Sequence, residues 1–320
     1  MTAPPGSRTV RTICQRLSQP PGRFRRRSLS LIINRTLIKK SSMGVNTAFR
    51  AFIISACLAN CGCHSDLGRD RSAPFRIIAT DAGFEAPDVV PAGMRHIVFE
   101  NRGSEIHEAM LVKLPDGMST KDYVAAVKAG SLFPKGAQDY SGPGLTSPGE
   151  TVEVWVKVDP GNYLIICWNN GHAKSTPVHP FTVQYAISDD EPPKEDVVLK
   201  LVDYRFELQG SLRKGRQVIR VETPGPSMHE VDFFRLHGGK SVADVNRWRK
   251  ANGRGEAPID ALGGALDSHD IKRVVWLRRD FSPGRYVLHC EMPVTTDPQT
   301  TNQEITHADV GMVREIKIEE

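Results

Sequence analysis

Residues 283–290 read Pro-Gly-Arg-Tyr-Val-Leu-His-Cys, and residues 160–167 read Pro-Gly-Asn-Tyr-Leu-Ile-Ile-Cys. Each is a Pro-Gly turn followed by a short apolar run that ends on cysteine, the pattern of a buried strand. Working outward, the likeness continues. Ser104-Glu-Ile-His-Glu-Ala-Met-Leu returns as Ser227-Met-His-Glu-Val-Asp-Phe-Phe, which sets His107 against His229 at an offset of 122 residues. The same offset pairs Asp81 with Asp203, Phe84 with Phe206, Gly93 with Gly215, Ser119 with Ser241 and Asp122 with Asp244. Trp155 meets Trp276 at an offset of 121. So many anchors at a near-constant period make the chain an internal duplication.

Within each copy strands dominate. Thr151-Val-Glu-Val-Trp-Val-Lys-Val158 alternates apolar and polar residues, as a half-buried strand does. One helix interrupts each copy. Ser119 and Asp122, like Ser241 and Asp244, have the spacing of a capping box, and Gly130 and Gly253 stand where these helices would end. Short strands, Pro-Gly turns and one inserted helix predict an antiparallel β-sandwich for residues 74–187 and a second for 197–320. Between them, Ser188-Asp-Asp-Glu-Pro-Pro-Lys-Glu-Asp196 is a charged, proline-bearing linker.

Composition narrows the function. The 320 residues are 39% hydrophobic and 25% charged, a globular balance, with a formal net charge of +5. That charge is uneven. Residues 1–65 hold eleven of the 42 Lys and Arg and none of the 37 Asp and Glu, leaving 31 basic against 37 acidic residues in the body. A mildly acidic body argues against a nucleic-acid partner.

Residues 1–65 read as a leader whose start lies near Met43. Arg50 supplies a short positive region, and Ala51 to Ala59 an apolar run too short to span a bilayer. Cys61 after Leu58-Ala59-Asn60 resembles the lipobox of bacterial lipoproteins, with Asn60 where a smaller residue is usual. Export to the periplasm is expected. Lipid attachment at Cys61, the one route to a membrane, and plain secretion both remain open.

The body holds two cysteines, Cys167 and Cys290, one per copy. In the second copy His229 lies early, and Cys290, His307 and Met312 follow late, in that order. His307-Ala-Asp-Val-Gly-Met312 then leads into a closing strand, Arg314-Glu-Ile-Lys-Ile318. This arrangement resembles the cupredoxins, the blue copper proteins, over most of residues 75–320. The resemblance implies two tandem cupredoxin-like Greek-key sandwiches and a mononuclear copper site. Two imidazoles and a thiolate lie near one plane in such a site, with a weak axial thioether.

Aligning Phe181-Thr-Val with Ile316-Lys-Ile sets His172 opposite His307 and Pro177 opposite Met312. Copy one therefore offers His107, Cys167 and His172 but no axial sulfur. At most one copper per copy follows. Two departures stand out. The segment from Cys290 to His307 is long and polar, and His107 and His229 are each followed by Glu, where the family commonly has a bracing Asn.

The expected function is an exported copper-binding protein that transfers one electron or holds copper, with a redox protein as partner. One alternative is a two-domain copper oxidoreductase of the nitrite reductase kind, in which a His beside the copper cysteine bridges to a second centre. His289 beside Cys290 invites it. Against it, strand alternation turns His289 away from Cys290, copy one has Ile166 there, and the chain has no His-x-His pair. His289 is then expected to be a solvated or hydrogen-bonded surface residue. Another alternative is a metal-free sandwich acting as a binding module.

Overall fold

The alternation of Thr151–Val158 is realised as a strand with Val152, Val154, Val156 and Val158 buried. The computed structural model describes residues 73–320 apart from 176, 189, 270–272 and 295–304. The leader, Met43 and Cys61 lie outside the described residues.

Copy one runs β1 (Phe75–Thr80), β2 (Gly83–Glu85), β3 (Val89–Asn101), β4 (Met110–Lys113), α1 (Thr120–Lys128), β5 (Gln138–Asp139), β6 (Thr151–Val158) and β7 (Gly161–Ile166). A 3-10 turn (Asn169–Gly171) then leads through α2 (His172–Ser175) to β8 (His179–Ile187). Copy two runs β9 (Val197–Val202), β10 (Arg205–Gln209), β11 (Gly215–Glu222), β12 (Val231–Leu236), α3 (Val242–Lys250), β13 (Ile259–Ala265), β14 (Val274–Phe281), β15 (Gly284–His289) and β16 (Val313–Ile318).

Each copy is a two-layer β-sandwich, as expected. In copy one, β1, β2, the second half of β3 and β6 form one layer, and β8, β7, β4 and β5 the other. Strand β3 serves both layers, because residues 89–92 pair with β8 and residues 93–100 with β6. The switch falls at Gly93, whose φ of 105° is open to glycine and strained for other residues. In copy two, β10-β9-β11-β14 faces β13-β12-β15-β16.

The predicted helices form with both capping boxes complete: Ser119 and Asp122 cap α1, and Ser241 and Asp244 cap α3. They turn Tyr123 and Val127, and Val245 and Trp248, inward. A tyrosine after each Pro-Gly turn ties its strand back to the chain. Tyr163 donates to the Asp159 carbonyl (2.8 Å) and Tyr286 to the Ser282 carbonyl (2.7 Å), a device common in Greek-key sandwiches. Copy one adds the four-residue helix α2, which the sequence reading did not foresee.

The copies join through equivalent strands. β6 pairs antiparallel with β14, with Trp155 directly opposite Trp276, so the duplication is arranged about a local twofold axis. A second strip repeats this symmetry, with bridges Tyr140 to Ser268, Pro143 to Ala265 and Thr146 to Leu262. Ion pairs Arg278–Glu153 and Arg279–Glu150 cross the seam, and His96 stacks on Trp155 with ring centroids 4.2 Å apart. The described residues of both copies thus form one compact unit.

Candidate metal centres

Strand order brings the donors together. In copy two, Asp232 near the start of β12 pairs with His289 at the end of β15, and His289 pairs with Val313 at the start of β16. His229 precedes the first of these strands, Cys290 follows the second, and His307 and Met312 lie just ahead of the third. The same end of the copy-one sandwich carries His107 before β4, Cys167 after β7, and His172 at the start of α2.

Among the described residues two groups of metal-capable donors form: His107, Cys167, His172 and His229, Cys290, His307. All six side chains are buried, and within each group the donor atoms lie within 4.8 Å of one another. Cys290 Sγ is 3.5 Å from His307 Nδ1, and His229 Nδ1 is 3.0 Å from the same nitrogen. In copy one, Cys167 Sγ is 3.5 Å from His172 Nδ1. A metal bonded at about 2.0–2.3 Å to three coplanar donors would space them roughly 3.5–4 Å apart, close to the observed separations.

Carboxylates set the ring orientation. His229 Nε2 donates to Asp203 at 3.0 Å, His107 Nε2 to Asp81 at 3.2 Å and His172 Nε2 to Glu105 at 2.6 Å. A proton held on Nε2 leaves the Nδ1 lone pair free to face the centre. Asp81 is itself fixed by the Ser104 hydroxyl (2.7 Å), which, with the Ser104 N–H and His107, holds its carboxyl well below the usual range. The His229 contact lowers Asp203 in the same direction. Two equivalent glycines make room: a Cβ on Gly103 would fall 2.4 Å from Asp81 Oδ1, and one on Gly225 would fall 2.9 Å from Asp203 Oδ1.

Burial pushes the thiols of Cys167 and Cys290 well above their ordinary range. Burial also lowers His107 and His229, and together with the neighbouring His229 it pushes His307 down to about 4. Backbone N–H groups address each sulfur: those of Glu108 and Asn169 in copy one, and of Glu230 and Met292 in copy two. These donors favour the thiolate, the form a metal requires.

Both departures from the family pattern have structural explanations. The glutamates do the bracing: Glu108 accepts from the Trp168 N–H at 2.7 Å and Glu230 from the Glu291 N–H at 2.9 Å, lacing the His segment to the Cys segment. The long segment is closed at its base. Val294 N donates to Ile305 O (2.8 Å), His307 N to Met292 O (2.8 Å) and Ala308 N to Cys290 O (3.0 Å). His307 is therefore fixed by a ladder that begins at Cys290, whatever path residues 295–304 take.

The two positions paired by the alignment of the closing strands differ in burial. Met312 is fully buried in the apolar cluster that holds Cys290 and Met292, whereas Pro177 is exposed, its carbonyl beside Gly83. His289 corrects an expectation. It is 1% exposed rather than a surface residue, paired with Glu291 (2.8 Å) and Asn246 (3.3 Å), because the second copy covers that face of β15 with α3.

His289 lines a cavity of about 710 Å³ between the copies, with Glu108, Asp139, Glu230, Asp267 and Glu291. Arg249 from α3 crosses it. Its Nε donates to Glu291 (2.8 Å) and its Nη1 to Asn169 (3.1 Å), joining the residues that follow the two cysteines. Sequence reasoning missed Asp81, Asp203 and Glu105 as partners of the histidines. For the two aspartates the signal was present, since they keep the offset of the histidines they hold.

No protein-family model matches the chain, and no curated protein matches it. Among solved structures, auracyanin A, a "blue" copper protein from Chloroflexus aurantiacus, is 23% identical over 35% of this chain and 100% of its own, with a TM-score of 0.26. A multicopper oxidase is 14% identical over 77% of this chain and 88% of its own, with a TM-score of 0.22. The copper-containing nitrite reductase of Thermus scotoductus is 13% identical over 77% of this chain and 61% of its own, with a TM-score of 0.21.

Proposed function

We propose that the protein is an exported copper protein that holds one copper ion in each copy and carries one electron per centre. The observation that carries this reading is the convergence, in each copy, of two imidazole ring nitrogens and one cysteine Sγ within 4.8 Å of one another, all on buried side chains. Thiolate with imidazole is a donor set that suits copper, and copper there supplies a one-electron couple. His229, Cys290 and His307 would hold it in copy two, with Met312 as the axial donor. His107, Cys167 and His172 would hold it in copy one.

The chain's own contribution is rigidity. Carboxylates fix His107, His172 and His229, the backbone ladder fixes His307, the N–H groups fix the sulfur, and the glutamates tie one segment to the other. A centre held in this way has little freedom to rearrange between oxidation states, which suits transfer rather than bond-making. A redox protein is the expected partner. Among the described residues no helix is long and apolar enough to cross a membrane.

Redox cycling tests the reading. Protein loaded with Cu(II) should show an intense visible thiolate-to-copper absorption that bleaches with one electron per copper from ascorbate and returns with ferricyanide. Loss of copper on reduction, or a colourless complex, would contradict a carrier. The oxidoreductase alternative requires a second kind of copper site between the copies. The cavity there presents Glu108, Glu230, Asp267, Glu291 and Arg249 rather than a set of histidines, which favours the carrier.

A further inference from the structure

Copy two carries one feature over its centre that copy one lacks. The turn between β9 and β10 is Asp203-Tyr204, and its equivalent between β1 and β2 is Asp81-Ala82. The aspartate of each turn holds a histidine. The second residue differs in side chain and in backbone. Tyr204 has φ 62°, the left-handed region that a bulky residue avoids, whereas the positive φ of the copy-one turn falls on Gly83.

Packing in the core does not account for Tyr204. The side chain is 40% exposed and stands outside the apolar clusters. Its ring lies instead against the two histidines, nearly perpendicular to His307 with centroids 5.1 Å apart and to His229 with centroids 6.3 Å apart. His307 beneath it is 5% exposed. Strain retained at one residue, beside a site and with no core contact to explain it, is the kind of outlier from which a role is inferred.

We propose that Tyr204 is a positioning residue for the copy-two centre: it presses His307 towards His229 and shields the donors from water and competing ligands. The inference rests on the metal-site reading above, but not on which metal is held. Copy one, with Ala82 in the same place and exposed Pro177 where copy two buries Met312, is the less protected centre. One turn thus does two things in copy two, since Asp203 orients one imidazole and Tyr204 covers the other.

The test uses the full chain with Cys167 and the leader cysteines Cys14, Cys57, Cys61 and Cys63 changed to Ser, so that Cys290 is the one thiolate left, and Zn(II) as probe, since imidazole and thiolate bind it as well. Zinc is loaded and its release to a colorimetric chelator is timed. Tyr204→Ala should speed release about five-fold, the size of one aromatic contact, while Tyr204→Phe stays near the parent rate. Tyr204→Gly should also release quickly, with the melting temperature of the metal-free protein unchanged or raised because the backbone strain is gone. Equal release rates in Tyr204→Ala and its parent would overturn the proposal, as would failure of the parent to bind zinc. The visible copper absorption of the same proteins is read separately. If zinc release responds and no copper absorption forms, Tyr204 keeps its role and the copper reading fails.

Discussion

Asp203 accepts a hydrogen bond from Nε2 of His229 at 3.0 Å, and that contact decides which ring nitrogen faces the centre. Asp203→Ala should therefore weaken Zn(II) or Cu(II) binding at copy two by about 10–100-fold, with the fold retained, because Asp203 sits on an exposed turn. Asp81→Ala should do the same for copy one. Competition titration against a chelator of known affinity measures both; unchanged affinity in either variant would separate the carboxylate from the site.

Met312 and Pro177 occupy equivalent positions with unlike surroundings, and their variants should diverge. Met312→Ala empties a fully buried position and should cost about 2–5 kcal/mol of stability in chemical denaturation. Met312→Leu conserves volume and should cost under about 1.5 kcal/mol while shifting the copper absorption of copy two. Pro177→Ala should leave both stability and absorption unchanged. Identical spectra for Met312→Leu and wild type would remove Met312 from the coordination sphere.

Much of this architecture was legible in the sequence, for identifiable reasons. The duplication showed because Asp81, His107, Ser119, Asp122 and their equivalents are held to fixed positions by turns, caps and ligation, which tolerate few substitutes. His107, Cys167 and His172 in one copy, and His229, Cys290 and His307 in the other, do converge, because period-two strands and a preserved closing strand leave little choice of register. What was not legible depended on how the copies meet. His289 was expected at the surface because alternation reports the face of a strand, not what covers that face. The local twofold through Trp155 and Trp276, the cavity and the bridge made by Arg249 carry no signal within either repeat alone. Helix α2 escaped notice because four residues are too few for a period.

In copy two the thiol of Cys290 held high by burial and the imidazoles of His229 and His307 held low fix the pH dependence of metal uptake. Each metal ion must displace one thiol proton, so log affinity should rise by about one per pH unit through the neutral range. His307, pushed to about 4, adds a second proton only in strong acid, so the slope for copy two steepens below the ordinary histidine range. For the metal-free fold the sign follows from the lowered imidazoles. Their contribution is present above an unfolded histidine's value of about 6.5 and is lost as pH falls through the folded value. Proton release on adding Zn(II) at two buffer strengths checks the count; a slope near zero would mean the thiolates are already ionised.

Arg249 balances buried carboxylates across the seam, so Arg249→Met should cost about 3–5 kcal/mol, the usual result of stranding one partner of a buried pair. Burial would raise Glu291, but Arg249 and His289 together hold it well below the usual carboxylate range. Its stabilising contribution is therefore present above an unfolded glutamate's value of about 4.3 and lost as pH falls through the folded value. The deficit of Arg249→Met should be largest near neutrality and shrink in acid, where Glu291 of the variant protonates. Denaturation curves at about pH 7.5, above that window, and at about pH 3, inside it, check it; a deficit independent of pH would point to lost packing alone.

The central claim is that each copy holds one copper through its own cysteine, and a Cu(II) titration of three proteins tests it most directly. Wild type should bind two equivalents, and the visible thiolate-to-copper absorption should be the sum of two components. Cys290→Ser should lose the component of copy two and keep that of copy one, and Cys167→Ser the reverse. A wild-type protein without visible absorption at saturation, or one whose absorption survives both substitutions, would contradict the account.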